Sequence, residues 1–301
     1  TILITIKQTE FVSFTLFSQF LGTLLFILSP LATLSNFVNE FKKTEVAIDR
    51  INDVETTLSS AKFLEGDRAA LEVQNSDEPL IQLHGVKHKY FNIEEDESFE
   101  LGPIDISIKR GEVIFLVGGN GSGKTTLAKL IVGLYQPESG FLSYSGQPLT
   151  NQTYDDFRNR ISANFTDQYL FQSLSHIEDD VLAAHSEKYL ESLELTKKVK
   201  IKDKKFSTTS LSQGQKKRLS LLASLLEDKE VYLFDEWAAN QDPHFKNIFY
   251  HELLPDLKKR GKTILVISHD ESYFGDGDRV IVLEDGHIKE KSPVKKQELK
   301  G

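Results

Sequence analysis

Residues Val113–Thr126 read VIFLVGGNGSGKTT and carry the strongest structural signal in the sequence. This stretch opens with the apolar, β-rich run Val113–Val117 and continues as a glycine-rich loop that ends in Lys124 and Thr125. A run typical of a helix, Thr126–Leu134, comes next. Strand, loop and helix together fulfil the pattern G-x-x-x-x-G-K-[ST], whose backbone N–H groups surround phosphate oxygens. The stretch therefore predicts an α/β domain with a phosphate-binding loop.

The residue types in this loop suit that chemistry. Glycines allow the backbone to curl tightly, and the N-terminus of the following helix adds positive charge. We expect Lys124 to neutralise the β- and γ-phosphate oxygens and the Thr125 hydroxyl to hold Mg²⁺. The predicted phosphate ligands are Gly118, Gly119, Asn120, Gly121, Ser122, Gly123, Lys124, Thr125 and Thr126.

Three further apolar runs of the β type follow along the chain, separated by helical segments. They are Val231–Phe234 (VYLF), Thr263–Ser268 (TILVIS) and Arg279–Leu283 (RVIVL). Strands that alternate with helices are typical of a largely parallel central sheet. The interval between Lys124 and Leu211 has room for a compact helical subdomain.

Two carboxylates, Asp235 and Glu236, directly follow the first of these runs, Val231–Phe234. Ligands bind at the carboxyl ends of strands in open α/β sheets. We expect Asp235 to complete the Mg²⁺ shell and Glu236 to orient or deprotonate an attacking water. By itself an apolar strand that ends in Asp-Glu is a common feature, and the interpretation depends on the phosphate loop.

Between these two motifs lies Leu211–Gln215, LSQGQ, which resembles the signature loop of ABC ATPases. Gln213 stands where the family usually has glycine, whereas Ser212 and Gly214 match. The resemblance implies that Ser212, Gly214 and Gln215 cap an ATP molecule bound to a second subunit, so that two cassettes close head to tail. An alternative from the residues alone is that Ser212 is the N-cap of a helix that runs to Leu226.

Further matches occur in the family's order. Asp242 resembles the residue of the loop that links the two sites, His269 resembles the γ-phosphate-sensing histidine, and Tyr90 occupies the place of the adenine-stacking aromatic residue. Either Asp167 or Gln168 aligns with the glutamine loop; we assign Gln168 to the site. The resemblance, which extends from about Leu80 to Lys289, implies the ABC type of P-loop NTPase, ATP and Mg²⁺ as cofactors, and catalysis by Glu236 and His269.

Three stretches are similar to bacterial half-transporters that export cyclic peptides, peptide antibiotics or siderophore precursors. They are LGPIDISI, VGGNGSGKTTLAKLIVGLY and FDEWAANQDP. This similarity implies ATP-driven export of a peptide or siderophore-like compound. The single cassette predicts a homodimer, with a heterodimer as the alternative.

The region before the cassette predicts a membrane anchor. No charged residue or histidine occurs from Phe11 to Asn39, a run long enough to span a bilayer. We expect a transmembrane helix at about residues 11–34, a cytoplasmic helical extension to residue 72, a linker at 73–79 and the nucleotide-binding domain at 80–301. Lys42 and Lys43 indicate that the cassette faces the cytoplasm from the inner membrane. The absence of methionine, at position 1 as elsewhere, predicts that the chain begins inside a longer translation product.

Composition narrows the alternatives. The net charge of −9 argues against a broad nucleic-acid surface, and the lack of cysteine excludes disulfides and thiolate metal clusters. The rival interpretations are a soluble ABC-type ATPase that acts on DNA or ribosomes and a regulatory module that binds ATP without turnover. The apolar run and the single cassette disfavour the first, and Lys124, Asp235, Glu236 and His269 disfavour the second.

Overall fold

The computed structural model describes residues 17–27, 37, 41–45, 47–52, 69–71, 78–92, 97–166, 169–239 and 241–293. The chain divides into two units, Thr1–Glu65 and Gly66–Gly301. In the first unit, residues 17–27, 41–45 and 47–52 are helical, and their described side chains are exposed.

Among the residues that the structure describes, no helix is long and apolar enough to cross a membrane. The expected transmembrane helix at residues 11–34 is thus not supported by the described helix, which covers 17–27, and its other residues lie outside the described part of the chain. Most of the expected linker, residues 73–77, also lies outside it.

The second unit contains three sheets and six α-helices within its described residues. The strands are β1 (Ile81–Asn92), β2 (Glu97–Ile108), β3 (Val113–Val117), β4 (Ser139–Tyr144), β5 (Gln147–Pro148), β6 (Ile161–Asn164), β7 (Ile201–Lys202), β8 (Lys205–Phe206), β9 (Val231–Asp235), β10 (Thr263–Ile267), β11 (Arg279–Glu284) and β12 (His287–Pro293). The helices are α1 (Lys124–Ile131), α2 (Tyr154–Asn159), α3 (Asp179–Ser192), α4 (Gln213–Leu226), α5 (Pro243–Asn247) and α6 (Leu254–Lys259). A π-helical turn, Ile248–Leu253, joins α5 to α6, and a 3₁₀ turn, Glu271–Asp276, precedes β11.

The central sheet has the strand order β12-β11-β3-β10-β9-β6. Its strands are parallel except β12, which pairs antiparallel with β11. The predicted parallel sheet is thus confirmed. The ends of each of the four predicted strands differ from the observed ends by at most one residue. Because β11, β3, β10 and β9 are neighbours, the loops at their carboxyl ends meet at one edge.

Both faces of this sheet are buried, because alternate residues of β3 pack into two different hydrophobic cores. Val113 and Phe115 pack into a core with α3, α4, α6 and the π-helical turn. Ile114 and Leu116 pack into a second core with α1, α2 and the antiparallel sheet β2-β1-β4-β5. Side chains of a strand alternate between faces, so a strand covered on both sides is apolar throughout. This burial fixes the strand ends from which the loops extend.

Candidate functional site

The loop after β3 wraps around a lysine side chain. The Lys124 ammonium donates hydrogen bonds to the carbonyl oxygens of Gly118, at 3.0 Å, and Gly119, at 2.8 Å. Only 7% of Lys124 is exposed. Burial lowers the pKa of the ammonium, and the nearby Glu236 and Asp235 oppose that shift. A poorly hydrated cation is thus held where the helix α1 begins, an arrangement suited to bind a phosphate group.

The other predicted phosphate ligands lie in the same turn. Gly123 is the N-cap of α1 with φ 96°, in the left-handed region that favours glycine. Asn120 and Gly121 are exposed, and Thr126 is half-buried. Ser122 is buried, and its hydroxyl has no hydrogen-bond partner among the described residues. The loop therefore combines a hydroxyl that lacks a partner with the free N–H groups of a helix N-terminus.

Gly118 packs closely against the carboxyl end of β11. Its φ is 153°, and a Cβ atom there would lie 2.1 Å from the carbonyl oxygen of Leu283. We expect Gly118→Ala to lower the melting temperature by at least about 5 °C, since overpacking and backbone strain each cost roughly 1–3 kcal/mol. Gly119→Ala is the matched control, because a Cβ there meets nothing within 4 Å. Thermal unfolding without nucleotide measures both; equal melting temperatures would contradict the packing argument.

The hydroxyl of Thr125 donates a hydrogen bond to Oδ2 of Asp235, at 3.1 Å. Asp235 ends β9 and is 3% exposed. Burial raises the pKa of this carboxyl group, whereas the Thr125 hydrogen bond and Lys124 lower it and Glu236 raises it further. The first turn of α1 and the end of β9 thus place two oxygen ligands together, the donor type that Mg²⁺ prefers.

Glu236 and His269 meet across the ends of β9 and β10. Glu236 Oε1 lies 3.2 Å from Nε2 of His269, and both side chains are partly exposed. The Glu236 N–H donates to the carbonyl oxygen of Ile267, at 3.0 Å, which ties its backbone to β10. Glu236 has φ 50°, an uncommon conformation for a residue other than glycine. A carboxylate and an imidazole are thus paired beside the phosphate loop.

The predicted signature loop forms the N-terminus of α4. The Ser212 hydroxyl accepts from the N–H of Gln215, at 3.4 Å, and Gln215 Oε1 accepts from the Ser212 N–H, at 3.2 Å. This reciprocal pair is a capping box. The alternative prediction of a helix capped by Ser212 and ending at Leu226 is therefore confirmed, and the nucleotide contact of Ser212, Gly214 and Gln215 stays a prediction. Gly214 lies beside Gln241, whose Oε1 is 4.0 Å from a Cβ built on the glycine.

Asp242 caps a second helix. Its Oδ1 accepts hydrogen bonds from the N–H groups of His244, at 3.1 Å, and Phe245, at 3.2 Å, at the start of α5. The cap uses one carboxylate oxygen, Oδ1, at the start of α5. The predicted contact of Asp242 across a dimer stays a prediction.

Two predicted positions lie beyond what the structure describes. The backbone of Tyr90 lies in β1 opposite Phe99, but its side chain is outside the described part. Asp167 and Gln168 are outside it altogether. A cavity of about 310 Å³ is lined in part by the described residues Thr166, Tyr169, Gln213 and Lys216.

Sequence reasoning missed Thr166, whose hydroxyl donates to the backbone carbonyl of Asp235, at 3.2 Å. This bond ties the segment after β6 to the carboxylate-bearing end of β9. The signal was present in the sequence, because Thr166 follows a strand and immediately precedes the predicted glutamine loop.

Comparison with known proteins gives a consistent result. Residues 101–239 match the family model described as ABC transporter. The chain is 42% identical to the ATP-binding protein SyrD of Pseudomonas syringae over 275 residues, which cover 88% of this chain and 48% of SyrD. It is 30% identical to the energy-coupling factor transporter ATP-binding protein EcfA1 of Mycoplasma mobile, with 72% of this chain and 81% of that protein covered.

Two further matches extend the comparison. The Toxin RTX-III translocation ATP-binding protein of Actinobacillus pleuropneumoniae is 26% identical, with 88% of this chain and 37% of that protein covered. A dimeric, post-hydrolysis structure of the ATP-binding cassette MJ0796 bound to ADP and Pi has the same fold, with a TM-score of 0.58 and 24% identity over 71% of this chain and 99% of that one. The chain spans about half the length of SyrD.

Proposed function

Because this chain belongs to the ABC transporter family, whose ATP-binding cassettes bind and hydrolyse ATP, we propose that it is the motor of an exporter in the cytoplasmic membrane. One observation carries this proposal. The phosphate loop, Asp235 and the Glu236–His269 pair lie at the carboxyl ends of the neighbouring strands β3, β9 and β10. A lysine, two carboxylates and an imidazole around one helix N-terminus suit hydrolysis of a phosphoanhydride.

The phosphate loop receives the β- and γ-phosphates of ATP in this proposal. Loop N–H groups, the Ser122 hydroxyl and the Lys124 ammonium would bind the phosphate oxygens, and Tyr90 would stack on the adenine. Thr125 and Asp235, whose oxygens lie 3.1 Å apart, would hold Mg²⁺. When bound, Mg²⁺ neutralises charge that develops on the β- and γ-phosphate oxygens. The raised pKa of the Asp235 carboxyl, caused by burial, indicates a carboxylate that gains from an added positive charge.

Glu236 orients the attacking water and accepts its proton. The γ-phosphorus–oxygen bond to ADP breaks as the water oxygen bonds to phosphorus, and the products are ADP and inorganic phosphate. His269 lies within hydrogen-bonding distance of Glu236. It would orient this carboxylate in the free protein and contact the γ-phosphate in the bound state. Gln168, assigned to the predicted glutamine loop, would also contact the bound nucleotide.

Two cassettes close around two ATP molecules in this proposal. Ser212, Gly214 and Gln215 at the N-terminus of α4 would face the phosphates on the second subunit, because a helix N-terminus attracts anions. Asp242 would lie at the same interface. The dimeric MJ0796 cassette with ADP and Pi supports this arrangement.

The wider role follows from the relatives and the sequence. Similarity to SyrD and to an RTX toxin translocation ATP-binding protein supports export. The apolar run at residues 11–34 would anchor the chain in the lipid bilayer, with the cassette in the cytoplasm and a homodimer as the working unit. The cargo would be a small peptide or siderophore-like compound.

Size-exclusion chromatography tests the dimer. We expect the full chain carrying Glu236→Gln to dimerise with Mg-ATP and to stay monomeric without it, because a chain that cannot hydrolyse ATP stays closed. Adding Gly214→Asp should abolish the dimer, since a carboxylate would face phosphate. Ala184→Asp is the control, because it introduces the same side chain at an exposed position of α3. It should leave the dimer intact. A monomer with ATP bound would contradict the proposal.

A further inference from the structure

Trp237, the only tryptophan of the chain, is buried directly after Glu236. It is 2% exposed, and its ring packs on Phe249 of the π-helical turn with centroids 4.7 Å apart. Its indole N–H donates to the backbone carbonyl of Lys217, at 2.9 Å. Lys217 lies in α4, so the Trp237 side chain, next in sequence to Glu236, reaches the helix whose N-cap is Ser212.

A second hydrogen bond runs between the same two segments. The Lys217 ammonium donates to the backbone carbonyl of Ala239, at 3.2 Å. The Ala239 N–H in turn donates to the carbonyl of Glu236, at 3.1 Å, which closes a turn around Trp237. Helix α4 and the loop after β9 are therefore joined by two hydrogen bonds. The loop supplies the donor of one, and the helix supplies the donor of the other.

The backbone of Glu236 is held on both sides by these contacts. On one side its N–H binds Ile267 of β10, and on the other side Trp237 is anchored to α4. The residue has φ 50°, a conformation that persists only where the surroundings impose it. A small displacement of α4 would pull on the tryptophan and so change where the Glu236 carboxylate points.

We propose that Trp237 is a positioning residue for ATP hydrolysis. Its indole N–H couples the N-terminus of α4, with Ser212 and Gly214, to the direction of the Glu236 carboxylate in the same chain. Contact of the α4 N-terminus with a partner cassette then brings Glu236 into line for attack. This inference rests on the proposed roles of Glu236 and of the α4 N-terminus.

Trp237→Phe tests the coupling, because phenylalanine keeps an aromatic ring on Phe249 and removes the N–H donor. We expect kcat for ATP to fall about tenfold with KM changed less than twofold. Tenfold corresponds to about 1.4 kcal/mol of activation free energy, the size of the net contribution of one hydrogen bond. A kcat within twofold of the unmutated chain would overturn the inference.

Phe249→Leu is the matched control. It weakens the packing of the indole and leaves the N–H bond to Lys217 in place, so it should lower the melting temperature while kcat at 25 °C stays within twofold. If both variants lose kcat in proportion to their loss of melting temperature, Trp237 has a packing role alone and the inference is wrong.

Fluorescence of the single tryptophan supplies a readout that does not depend on turnover. Mg-ATP added to the Glu236→Gln chain should change the emission of Trp237, because closure on α4 alters the indole hydrogen bond. Constant emission under conditions where ATP binding is verified would overturn the coupling. If instead the unmutated chain neither binds nor hydrolyses ATP, the proposed function itself fails, and the two failures are thereby distinguished.

Discussion

Glu236→Gln is expected to reduce kcat for ATP hydrolysis at least about a hundredfold while leaving ATP affinity within a few-fold of its original value. The amide has the size of the carboxylate but does not accept the proton of the attacking water. Positioned general bases contribute about 10²- to 10⁴-fold to rates. The hydrogen bonds that hold Lys124 in the phosphate loop go to the carbonyls of Gly118 and Gly119 and do not involve Glu236.

Phosphate release at saturating ATP measures kcat, and nucleotide titration of the same variant measures affinity. Glu271→Gln is the matched control, because it makes the same chemical change at an exposed glutamate two residues beyond His269. It should keep full activity. If Glu236→Gln turns over at the unmutated rate, water activation belongs to another group and the assignment of Glu236 is wrong.

The central strands and the phosphate loop could be predicted because their signals are local. The VIFLV run, the glycines and the lysine occupy consecutive positions, and the apolar runs that form β9, β10 and β11 are bounded by polar residues. Parallel pairing then brings the carboxyl ends of neighbouring strands to one edge. The placement of Asp235 and Glu236 near Thr125 follows from that topology.

The antiparallel sheet could not be predicted in the same way. It pairs Ile81 of β1 with Tyr144 of β4, residues that lie far apart in the sequence, and the register shifts within β1 weaken its alternation.

Helix α1 begins at Lys124 and not at the expected Thr126, because Gly123 in its left-handed conformation already ends the loop.

Contacts within the site also depend on tertiary structure. Glu236, which pairs with His269, has a positive φ that no sequence motif encodes. Trp237 is buried and packs on Phe249. Its hydrogen bond to α4 depends on how the helix lies beside the loop, and the sequence carries no signal for that distance.

Lys124→Ala is expected to remove the stabilisation by ATP and to leave the nucleotide-free protein close to its original stability. The ammonium is buried, and its lowered pKa shows that burial penalises the charged form, so its loss offsets part of the lost hydrogen bonding. With phosphate bound, the same ammonium makes charge-assisted bonds, which are about twice as strong as neutral ones. We therefore expect ATP to bind about a hundredfold more weakly.

Thermal unfolding with and without Mg-ATP measures both effects. At an ATP concentration of about 100 Kd the unmutated chain should gain about 2.7 kcal/mol, and a variant with hundredfold weaker binding only about 0.4 kcal/mol. Lys109→Ala, at an exposed lysine ahead of β3, is the control and should keep the full gain. A full ATP-dependent rise in the melting temperature of Lys124→Ala would show that the lysine does not bind phosphate, since a ligand stabilises only through contacts made in the folded state.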